Sequence, residues 1–400
     1  MERVVVTGLG AVTPFGAGVH RLWLGLTENR RAIDQITRFD PTGLRSRRGG
    51  QVWEWEFSPD EFGLPCAPDT ATQFALAAAS EAVAEAKLSP ESMAPHRAGA
   101  VLATNFGGAV SWEQFVEGWL AGRPSAEAFE EFAFDTALDH LCNRFDLQGP
   151  CSLLSIACAS GTAAIGCGLD MIRYGRADVM LCGGHDALAP SLLGGLSVLR
   201  TMTTDDILPF SANRSGTLFG EGAGILVLEA LHHAQARGAR IHCEVMGSWQ
   251  DNNAYHLTAP DPGGNGMIRV LSEALRDGKV APTDVDYINA HGTGTEYHDP
   301  EETQAIKQVL GRHAYQVPVS SIKGAIGHLM GAAGAVEAVA TVKAIQTDIL
   351  PPTINDGVAD PEMDLDFVVN ASRSHPVHCA ASISAGVGGS NACVVFREFV

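Results

Sequence analysis

Short apolar runs alternate with segments of helical periodicity along the whole chain, and this alternation indicates a layered α/β fold. The apolar runs predict strands at residues 3–6, 98–103, 153–157, 179–182, 222–228, 285–288, 367–369 and 393–396. The periodic segments predict helices at residues 70–86, 229–237, 266–276, 300–310 and 331–345. Because no long linker interrupts the pattern, we expect two α/β halves, residues 1–240 and 241–400, packed into one body, with an irregular surface segment at 49–68.

Composition restricts the setting and the partners. The 400 residues are 46% hydrophobic, which is typical of a compact globular protein, and the formal charge of −19 argues against nucleic acid or an anionic membrane surface as the main partner. No apolar stretch reaches the ~18 residues of a membrane span, and the chain opens on a strand rather than a signal peptide. Nine cysteines, an odd number without a C-x-x-C pair, argue against a disulfide framework or a zinc site. We therefore expect a cytoplasmic protein.

Cys158 occupies a predicted strand-to-helix corner. It follows the apolar run 153–157 and precedes Ile165, Leu169 and Ile172, which have helical spacing. The positive end of a helix dipole lowers the pKa of a thiol, so a reactive cysteine belongs at such a corner, and its small neighbours leave room for a substrate. The alternative is that Cys158 is one more small buried residue. This segment alone leaves both interpretations open.

Three other segments have sequences unlike those of an ordinary hydrophobic core. His291 ends a predicted strand among flexible small residues, Lys323 and His328 precede a Gly/Ala-rich helix, and residues 384–391 form a glycine turn. Each has a structural alternative: a hydrogen-bonded histidine, a surface lysine or a simple hairpin. A metal site built from His291, His298 and Asp299 would have no recognisable ligand spacing. The opening glycines at 8 and 10 lack the third glycine of a dinucleotide-binding loop.

In combination, these segments resemble the β-ketoacyl synthases, the elongating condensing enzymes of fatty acid and polyketide synthesis. The resemblance extends over nearly the whole chain and comprises the opening at 4–10, the Cys158 corner, Gly-Glu-Gly-Ala-Gly at 220–224, Ala-Tyr-His-Leu-Thr-Ala-Pro-Asp-Pro at 254–262, His-Gly-Thr at 291–293, Lys323, Gly-His at 327–328 and Gly-Val-Gly-Gly at 386–389. It implies the thiolase-like fold, in which two related α/β halves with five-stranded sheets form five alternating αβαβα layers.

The resemblance also implies partners. Substrates would arrive on the phosphopantetheine arm of an acyl carrier protein, and the enzyme would hold no metal or cofactor of its own. Family members are dimers, so we expect a homodimer or a heterodimer with a chain-length-factor-like subunit. The family reaction is β-ketoacyl-[acyl-carrier-protein] synthesis by decarboxylative Claisen condensation.

Acyl transfer would use Cys158 as the nucleophile. By resemblance, the backbone N–H groups of Cys158 and Val387 would form the oxyanion hole, with Gly386 and Gly388 supporting the turn around Val387. Condensation would use His291 and His328 as neutral imidazoles that hold the thioester oxygen while a malonyl group loses carbon dioxide. Lys323 resembles the family lysine that orients the second histidine electrostatically, and Glu302 matches an acidic position that supports the site.

Several positions depart from the family pattern. Relatives usually carry phenylalanine at the position of Val387, where its ring gates the acyl pocket. Further departures are Asn253 for aspartate, Ile326 for threonine, Glu296 for proline, and Ala67 and Thr70 where basic residues often help to dock a carrier protein. These departures favour a specialised polyketide or fatty-acid-like pathway over housekeeping fatty acid elongation, which stays the alternative.

Three related classes fit the residues less well. A chain-length-factor-like subunit typically loses the nucleophile, yet Cys158 is present; the chain could still be the catalytic half of such a heterodimer. A thiolase uses a second cysteine as base, whereas Cys379 and Cys393 flank the glycine turn outside its core. An initiating ketosynthase would have asparagine at the position of His328.

Overall fold

The computed structural model describes residues 1–53, 55–89 and 92–400. The strands are β1 Val4–Thr13, β2 Gly16–Ala17, β3 Asp34–Gln35, β4 Arg48–Gly49, β5 Ala98–Ala103, β6 Cys151–Leu154, β7 Val179–Asp186, β8 Gly222–Ala230, β9 Cys243–Asn252, β10 Tyr287–Asn289, β11 Val319–Ser320, β12 Ile349–Leu350, β13 Arg373–Ser374, β14 Cys379–Ala385 and β15 Ser390–Arg397.

The helices are α1 Val19–Thr27, α2 Pro59–Phe62, α3 Thr70–Ala86, α4 Ala109–Leu120, α5 Ala126–Glu131, α6 Thr136–Phe145, α7 Ser160–Arg173, α8 Pro190–Val198, α9 Leu231–Ala236, α10 Asn265–Asp277, α11 His298–Leu310, α12 Lys323–Ile326 and α13 Ala333–Thr347. Short 3₁₀ turns cover Pro95–Arg97, Pro282–Asp284, Gly311–Gln316 and Met330–Ala332. No helix in these described ranges is long and apolar enough to cross a membrane.

Two five-stranded arrangements have the same pairing pattern. The first has the order β1-β8-β7-β5-β6 and the second the order β9-β15-β14-β10-β11. In each, the last three strands are parallel and the first two pair antiparallel. The sheets are joined where β1 pairs with β9 through Val5↔Glu244 and Val6↔Cys243. This repeated topology confirms the two related halves, while the boundary at residue 240 stays a prediction.

Five layers follow from how the helices cover these sheets. Helix α3 packs on the outer face of the first sheet, and α10 and α11 cover the outer face of the second. Helices α7 and α13 lie between the sheets, where α7 contacts β7 and β5 of the first sheet and β15 and β9 of the second. The thiolase-like αβαβα arrangement expected from the sequence is confirmed.

Small residues allow the helices and strands around the central layer to pack closely together. A Cβ atom on Gly161 of α7 would lie 2.7 Å from the backbone nitrogen of Ala335 in α13. A Cβ on Gly224 of β8 would lie 2.7 Å from the nitrogen of Val336. Because real Cβ atoms do not approach backbone nitrogen this closely, the Gly/Ala-rich sequence is what brings the central helices and strands together.

Several predicted boundaries change. The strand predicted at 153–157 ends at Leu154, because Ala157 adopts the left-handed conformation with φ 56°. The helix predicted at 229–237 begins only at Leu231. The strand predicted at 367–369 is wrong: Phe367 and Val369 make only isolated bridges, to different partners. The segment 49–68 is irregular apart from Gly49 of β4 and the short α2, and residue 54 lies outside the described residues.

Candidate active site

The polar residues predicted from the sequence follow the carboxyl ends of parallel strands. Such strand ends meet at one edge of a sheet, and the two related sheets bring two such edges together around α7 and α13. The predicted residues are Cys158 after β6, His291 after β10, Lys323 and His328 after β11, and Gly386 after β14; Asn105, which was not predicted, follows β5 in the same way.

The turn that carries Cys158 is fixed by local hydrogen bonds. The Ser160 hydroxyl accepts a hydrogen bond from the Ile156 N–H at 2.8 Å and donates one to the Ala157 carbonyl at 2.5 Å. Gly386 lies against the turn so closely that a Cβ atom there would be 2.9 Å from the Cys158 nitrogen. The side chain of Cys158 is thereby held at the start of α7, with only 9% of the residue exposed.

The groups around Cys158 shift the pKa of its thiol in opposite directions. Burial raises the pKa of its thiol to about 12, while the charge of Lys323 lowers it and that of Asp186 raises it. The Asn105 side-chain nitrogen lies 4.0 Å from the sulfur and favours the thiolate. The lowered thiol pKa expected from the helix N-terminus is therefore not found, since burial has the larger effect. At rest, Cys158 is a thiol.

Two acidic residues of α11 hold the loop that carries His291. Glu302 accepts hydrogen bonds from the backbone N–H groups of His291 and Gly292 at 2.7 and 2.8 Å. Asp299 accepts from Thr293 N at 3.0 Å in the same way. Burial raises the pKa of Glu302 to about 8, and the two backbone donors oppose that shift. The Glu302 carboxylate therefore fixes the shape of the loop by binding the backbone N–H groups of the loop.

His291 and His328 lie next to each other with their rings nearly perpendicular. The ring centroids are 5.2 Å apart at an interplanar angle of 85°. Nδ1 of His328 accepts a hydrogen bond from Met330 N at 3.2 Å, and Nδ1 of His291 lies 3.3 Å from Nζ of Lys323. Burial and the charge of Lys323 keep the pKa of both imidazoles well below the ordinary value. Both rings are thus neutral, and these contacts assign the ring proton of each to Nε2.

Lys323 is ion-paired with Glu337 of α13, and both side chains are buried. One oxygen of Glu337 lies 3.5 Å from the Ser384 hydroxyl, which in turn lies 2.8 Å from the Thr162 hydroxyl of α7. The hydrogen-bonding contact of Lys323 is with His291, the first of the two histidines. It acts on His328 through its charge, which lowers the pKa of that ring.

Three residues of this site were missed in the sequence: Glu337, Asp186 and Asn105. The buried Asp186 carboxylate accepts hydrogen bonds from the Thr104 hydroxyl at 2.7 Å and from Gly331 N at 2.6 Å, and so joins the Asn105 loop to the 3₁₀ turn that precedes α13. A usable signal existed for Glu337, since it is the one carboxylate within the small and apolar residues of α13. No such signal marked Asn105.

The glycine turn lies against the turn that carries Cys158, through Gly386. Val387 is 40% exposed, and Gly388 and Gly389 adopt positive φ angles of 89° and 80° that favour glycine. Among residues 1–53, 55–89 and 92–400, neither Cys158 N nor Val387 N donates to a protein acceptor. Both N–H groups are therefore available to a ligand.

The arrangement does not resemble a metal centre. His298 approaches His291 with its ring, at a centroid distance of 5.0 Å, and Asp299 is engaged by backbone N–H groups. In the part of the chain that the structure describes, no three His, Cys, Asp or Glu side chains are grouped so that they could hold a metal ion.

The chain matches a known protein family over most of its length. Residues 1–234 match the family described as "Beta-ketoacyl synthase, N-terminal domain", and residues 242–356 match "Beta-ketoacyl synthase, C-terminal domain". A 3-oxoacyl-[acyl-carrier-protein] synthase 2 of Synechocystis sp. is 40% identical over 413 residues, covering 100% of this chain and 98% of the relative. A putative polyketide β-ketoacyl synthase 1 of Streptomyces cyaneus is also 40% identical, over 98% of this chain and 97% of the relative.

A third relative and two solved structures extend this similarity. The tetracenomycin polyketide synthase ketoacyl synthase alpha subunit of Streptomyces glaucescens is 36% identical over 99% of this chain and 97% of its own length. A type II polyketide ketosynthase solved with its acyl-carrier protein has a TM-score of 0.93 at 34% identity, and the ishigamide ketosynthase/chain length factor has a TM-score of 0.94 at 34% identity. Each covers 100% of both chains.

Proposed function

Since the chain belongs to the β-ketoacyl synthase family, we propose that it lengthens an acyl chain held on Cys158 by condensing it with a malonyl thioester on an acyl carrier protein. The observation that carries this proposal is the pair His291 and His328. Both are buried and neutral, and both have Nδ1 engaged by a donor, so that two Nε2–H groups are free to hold one substrate oxygen.

Acyl transfer comes first. The sulfur of Cys158 attacks the carbonyl carbon of the acyl thioester, the bond from that carbon to the carrier's sulfur breaks, and the thiol proton ends on the departing phosphopantetheine sulfur. The free N–H groups of Cys158 and Val387 are the donors we assign to the oxyanion of this step. Because Cys158 rests as a thiol and both imidazoles carry their proton on Nε2, the thiol proton passes to the departing phosphopantetheine sulfur as the new bond forms.

Condensation then uses the two histidines as donors. The malonyl carboxylate leaves as carbon dioxide, and the electron pair of the broken C–C bond forms an enolate whose oxygen receives the Nε2–H groups of His291 and His328. The enolate carbon attacks the acyl carbonyl, and the bond to Cys158 breaks. The negative charge that began on the carboxylate ends on the Cys158 sulfur, which takes a proton from solvent.

Lys323 supports this step from behind His291. The ammonium of Lys323 at Nδ1 disfavours the imidazolium and keeps the single ring proton on Nε2, where it can be donated to the substrate oxygen. Glu337 neutralises the buried ammonium, so that the site does not hold an isolated charge. We assign Lys323 a positioning role through His291.

The partner we propose is an acyl carrier protein that delivers both thioesters. Support comes from a structural relative that was solved in complex with its acyl-carrier protein. The site needs no bound cofactor for the steps above, because the pantetheine arm arrives with the substrate. Positions 67 and 70, beside the buried Asp69, carry alanine and threonine instead of the basic residues often found there, so we expect the carrier to dock through other contacts.

For the pathway, we propose a specialised polyketide or fatty-acid-like route. Identity is 40% both to a 3-oxoacyl-[acyl-carrier-protein] synthase 2 and to a putative polyketide β-ketoacyl synthase 1, so identity does not separate the two kinds of relative. Val387 is the residue that favours the specialised route, since it stands where relatives usually carry a gating phenylalanine and its smaller, partly exposed side chain should gate the acyl pocket less. Val387→Phe should narrow the range of acyl chains accepted, and an unchanged range would remove this argument.

A second candidate is the catalytic subunit of a heterodimer with a chain-length-factor-like subunit. The similarity to the ishigamide ketosynthase/chain length factor and to a ketoacyl synthase alpha subunit favours it. Its test is the oligomeric state and condensing activity of the chain purified alone. An active homodimer would contradict the heterodimer, whereas activity restored only by a co-expressed homologous subunit would support it.

The central experiment is intact-mass analysis after incubation with a panel of acyl carrier proteins. Wild type should gain the mass of one acyl group, and Cys158→Ala should gain none. The matched control is Cys167→Ala, which removes a thiol from α7, the helix that follows Cys158, and should load like wild type. Equal loading of wild type and Cys158→Ala would overturn the assignment of the nucleophile.

A further inference from the structure

Asn105 contacts the sulfur of Cys158, and neither half-reaction has so far given it a role. Its side-chain nitrogen Nδ2 lies 4.0 Å from Sγ. This is a long contact, as hydrogen bonds in an unliganded active site often are before the reacting atom carries charge. A hydrogen bond to a charged acceptor is shorter and stronger than one to a neutral acceptor. The position of Asn105 therefore suits a sulfur that becomes negative during the reaction.

The backbone of Asn105 is fixed by a buried carboxylate. The two oxygens of Asp186 accept hydrogen bonds from the Asn105 N–H at 3.1 and 3.0 Å, and one of them also accepts from the Phe106 N–H at 3.1 Å. The loop also lies against Gly331, where a Cβ atom would be 2.8 Å from the Asn105 nitrogen. Because these contacts hold the loop on two sides, the amide donor is in place before a substrate arrives.

The carboxylate that holds this loop works against the nucleophile. The charge of Asp186 raises the pKa of the Cys158 thiol. Burial raises the pKa of Asp186 itself to about 6, and hydrogen bonds from the Thr104 hydroxyl and the Asn105 N–H oppose that shift. A buried acid that disfavours the thiolate has a reason to be there if it positions a donor for the same sulfur.

The other end of the Asn105 amide is left without a partner. Its oxygen Oδ1 is buried, and no donor among residues 1–53, 55–89 and 92–400 reaches it. An unsatisfied buried acceptor lowers the free energy of unfolding, so an amide with only a structural role would bond through both ends. The side-chain contact that Asn105 does make is through its nitrogen, to Cys158. These observations indicate that the amide serves as a donor.

We propose that Asn105 is a further catalytic residue, whose amide donates a hydrogen bond to the Cys158 sulfur when this sulfur leaves as an anion in condensation. The assignment rests on the proposed function. In that step the enolate carbon bonds to the acyl carbon, the bond from the acyl carbon to sulfur breaks, and the electron pair stays on the sulfur until solvent supplies a proton. Because burial raises the pKa of this thiol, a fixed donor stabilises the leaving sulfur.

Acyl loading should depend less on Asn105. In loading, the thiol proton moves to the departing phosphopantetheine sulfur as the new bond forms, so little negative charge develops on Cys158. Decarboxylation should not depend on Asn105 at all, because the enolate oxygen is held by His291 and His328. A donor at the sulfur is therefore expected to affect the transfer of the acyl group out of the enzyme.

The first test needs no substrate. The full-length protein is treated with iodoacetamide over a series of pH values, and peptide mapping follows the alkylation of Cys158, which reports its thiolate. Asn105→Ala and Asn105→Asp both remove the donor, and the aspartate keeps the shape of the side chain. We expect both variants to alkylate about tenfold more slowly than wild type, the effect of losing one hydrogen bond to a charged atom. Alkylation of both at the wild-type rate would overturn the proposal.

The second test follows condensation from the loaded enzyme. Wild type and Asn105→Ala are acylated to completion on Cys158 and then mixed with malonyl-loaded acyl carrier protein. Intact mass records the loss of the acyl group, and labelled carbon dioxide records decarboxylation. In the variant, acyl release should slow about tenfold while carbon dioxide release continues, so the ratio of carbon dioxide to condensed product rises. Equal slowing of both would indicate a general distortion of the site and overturn the proposal.

A failure of the proposed function would look different. It would appear as a wild-type protein that does not load, and the alkylation test would still decide whether Asn105 acts on the sulfur. Asn213→Ala is the matched control, because Asn213 is an exposed asparagine whose amide bonds to Asp356. This variant should match wild type in both tests.

Thermal denaturation separates the catalytic role from a structural one. Because Oδ1 of Asn105 has no partner in the described part of the chain, Asn105→Ala should melt at or above the wild-type temperature. Slower acyl release without a loss of stability would support the catalytic role. A lower melting temperature together with alkylation of Cys158 at the wild-type rate would show that Asn105 is structural and overturn the proposal.

Discussion

The ammonium group of Lys323 lies 3.3 Å from Nδ1 of His291 and is ion-paired with Glu337 at the same time. One buried cation therefore sets the tautomer of a histidine and is itself neutralised by a carboxylate of the central helix α13. Stability and chemistry depend on the same contact, and the two effects can be separated by mutation.

We expect Lys323→Met to lower both stability and condensation. It leaves Glu337 buried without its partner, which costs about 3–5 kcal/mol before the carboxyl group protonates. Thermal denaturation and condensation rates measure the two effects. The double variant Lys323→Met/Glu337→Leu should regain most of the stability, because an apolar pair replaces the ion pair, and should stay slow in condensation. Recovery of full condensation in the double variant would show that Lys323 has no positioning role.

His328→Ala should separate the two half-reactions. Acyl transfer to Cys158 continues, whereas malonyl decarboxylation slows by on the order of 10²–10³, the usual effect of losing one oxyanion donor. Release of labelled carbon dioxide and the mass of the acyl-enzyme measure these steps independently. His298→Ala is the matched control, because it removes a neighbouring buried ring without a donor that we assign to the substrate. Decarboxylation at the wild-type rate in His328→Ala would contradict the assignment.

Gly386→Ala should impair acyl loading. The added methyl group would lie 2.9 Å from both the Cys158 nitrogen and the Ala157 Cβ, so the nucleophile turn has to shift. Gly388→Ala is the control: no heavy atom lies within 4 Å of its added Cβ, and it introduces only the backbone strain of φ 89°. Intact-mass loading rates should fall much further for Gly386→Ala. Equal loading rates for the two variants would show that the close contact between Gly386 and the Cys158 turn does not affect acyl transfer.

Acid should destabilise the protein through His185. This histidine of β7 is 1% exposed, both ring nitrogens lack a partner among the described residues, and burial lowers its pKa to about 4. The unfolded chain, with an ordinary pKa of about 6.5, binds the proton first, so stability falls as the pH drops from about 6.5 to 4, by about 3 kcal/mol in total.

His185→Leu should remove that loss, as urea denaturation at a series of pH values would show. His378→Leu is the opposite control. The hydrogen bond to Glu398 raises the pKa of His378. The stability that this hydrogen bond adds to the folded protein is therefore present at low pH and disappears as the pH rises. An equal acid dependence in wild type and His185→Leu would contradict this prediction.

Much of the site was predictable because its residues lie in recognisable motifs. Cys158, His291, Lys323 and His328 were identified from local sequence, and the structure brings the last three into direct contact or adjacency. What could not be predicted is how these residues are held. The partner of Lys323 is Glu337, 14 residues further on, and that pairing depends on how α13 packs between the sheets.

The errors in secondary structure have similarly specific causes. The strand before Cys158 was predicted too long because apolar residues continue to Ala157, whose left-handed conformation has no signature in composition. Residues 367–369 are apolar enough for a strand, yet they pair with two different segments and so never form a ladder. The thiol pKa of Cys158 was misjudged because the sequence shows the helix that follows it and does not show the depth at which it is buried.

The short junction between the two sheets has a mechanical consequence. Within the described part of the chain, two residue pairs, Val5↔Glu244 and Val6↔Cys243, link the sheet that leads to the nucleophile with the sheet that leads to the histidines. Backbone hydrogen bonding there is too limited to hold one sheet rigidly against the other. The separation between sulfur and imidazole is therefore set by the thickness of the α7–α13 layer. A single methyl group added at Gly161 would push α7 away from α13. The distance between the Cys158 sulfur and the histidine rings would then increase, although Gly161 is far from the histidines in sequence.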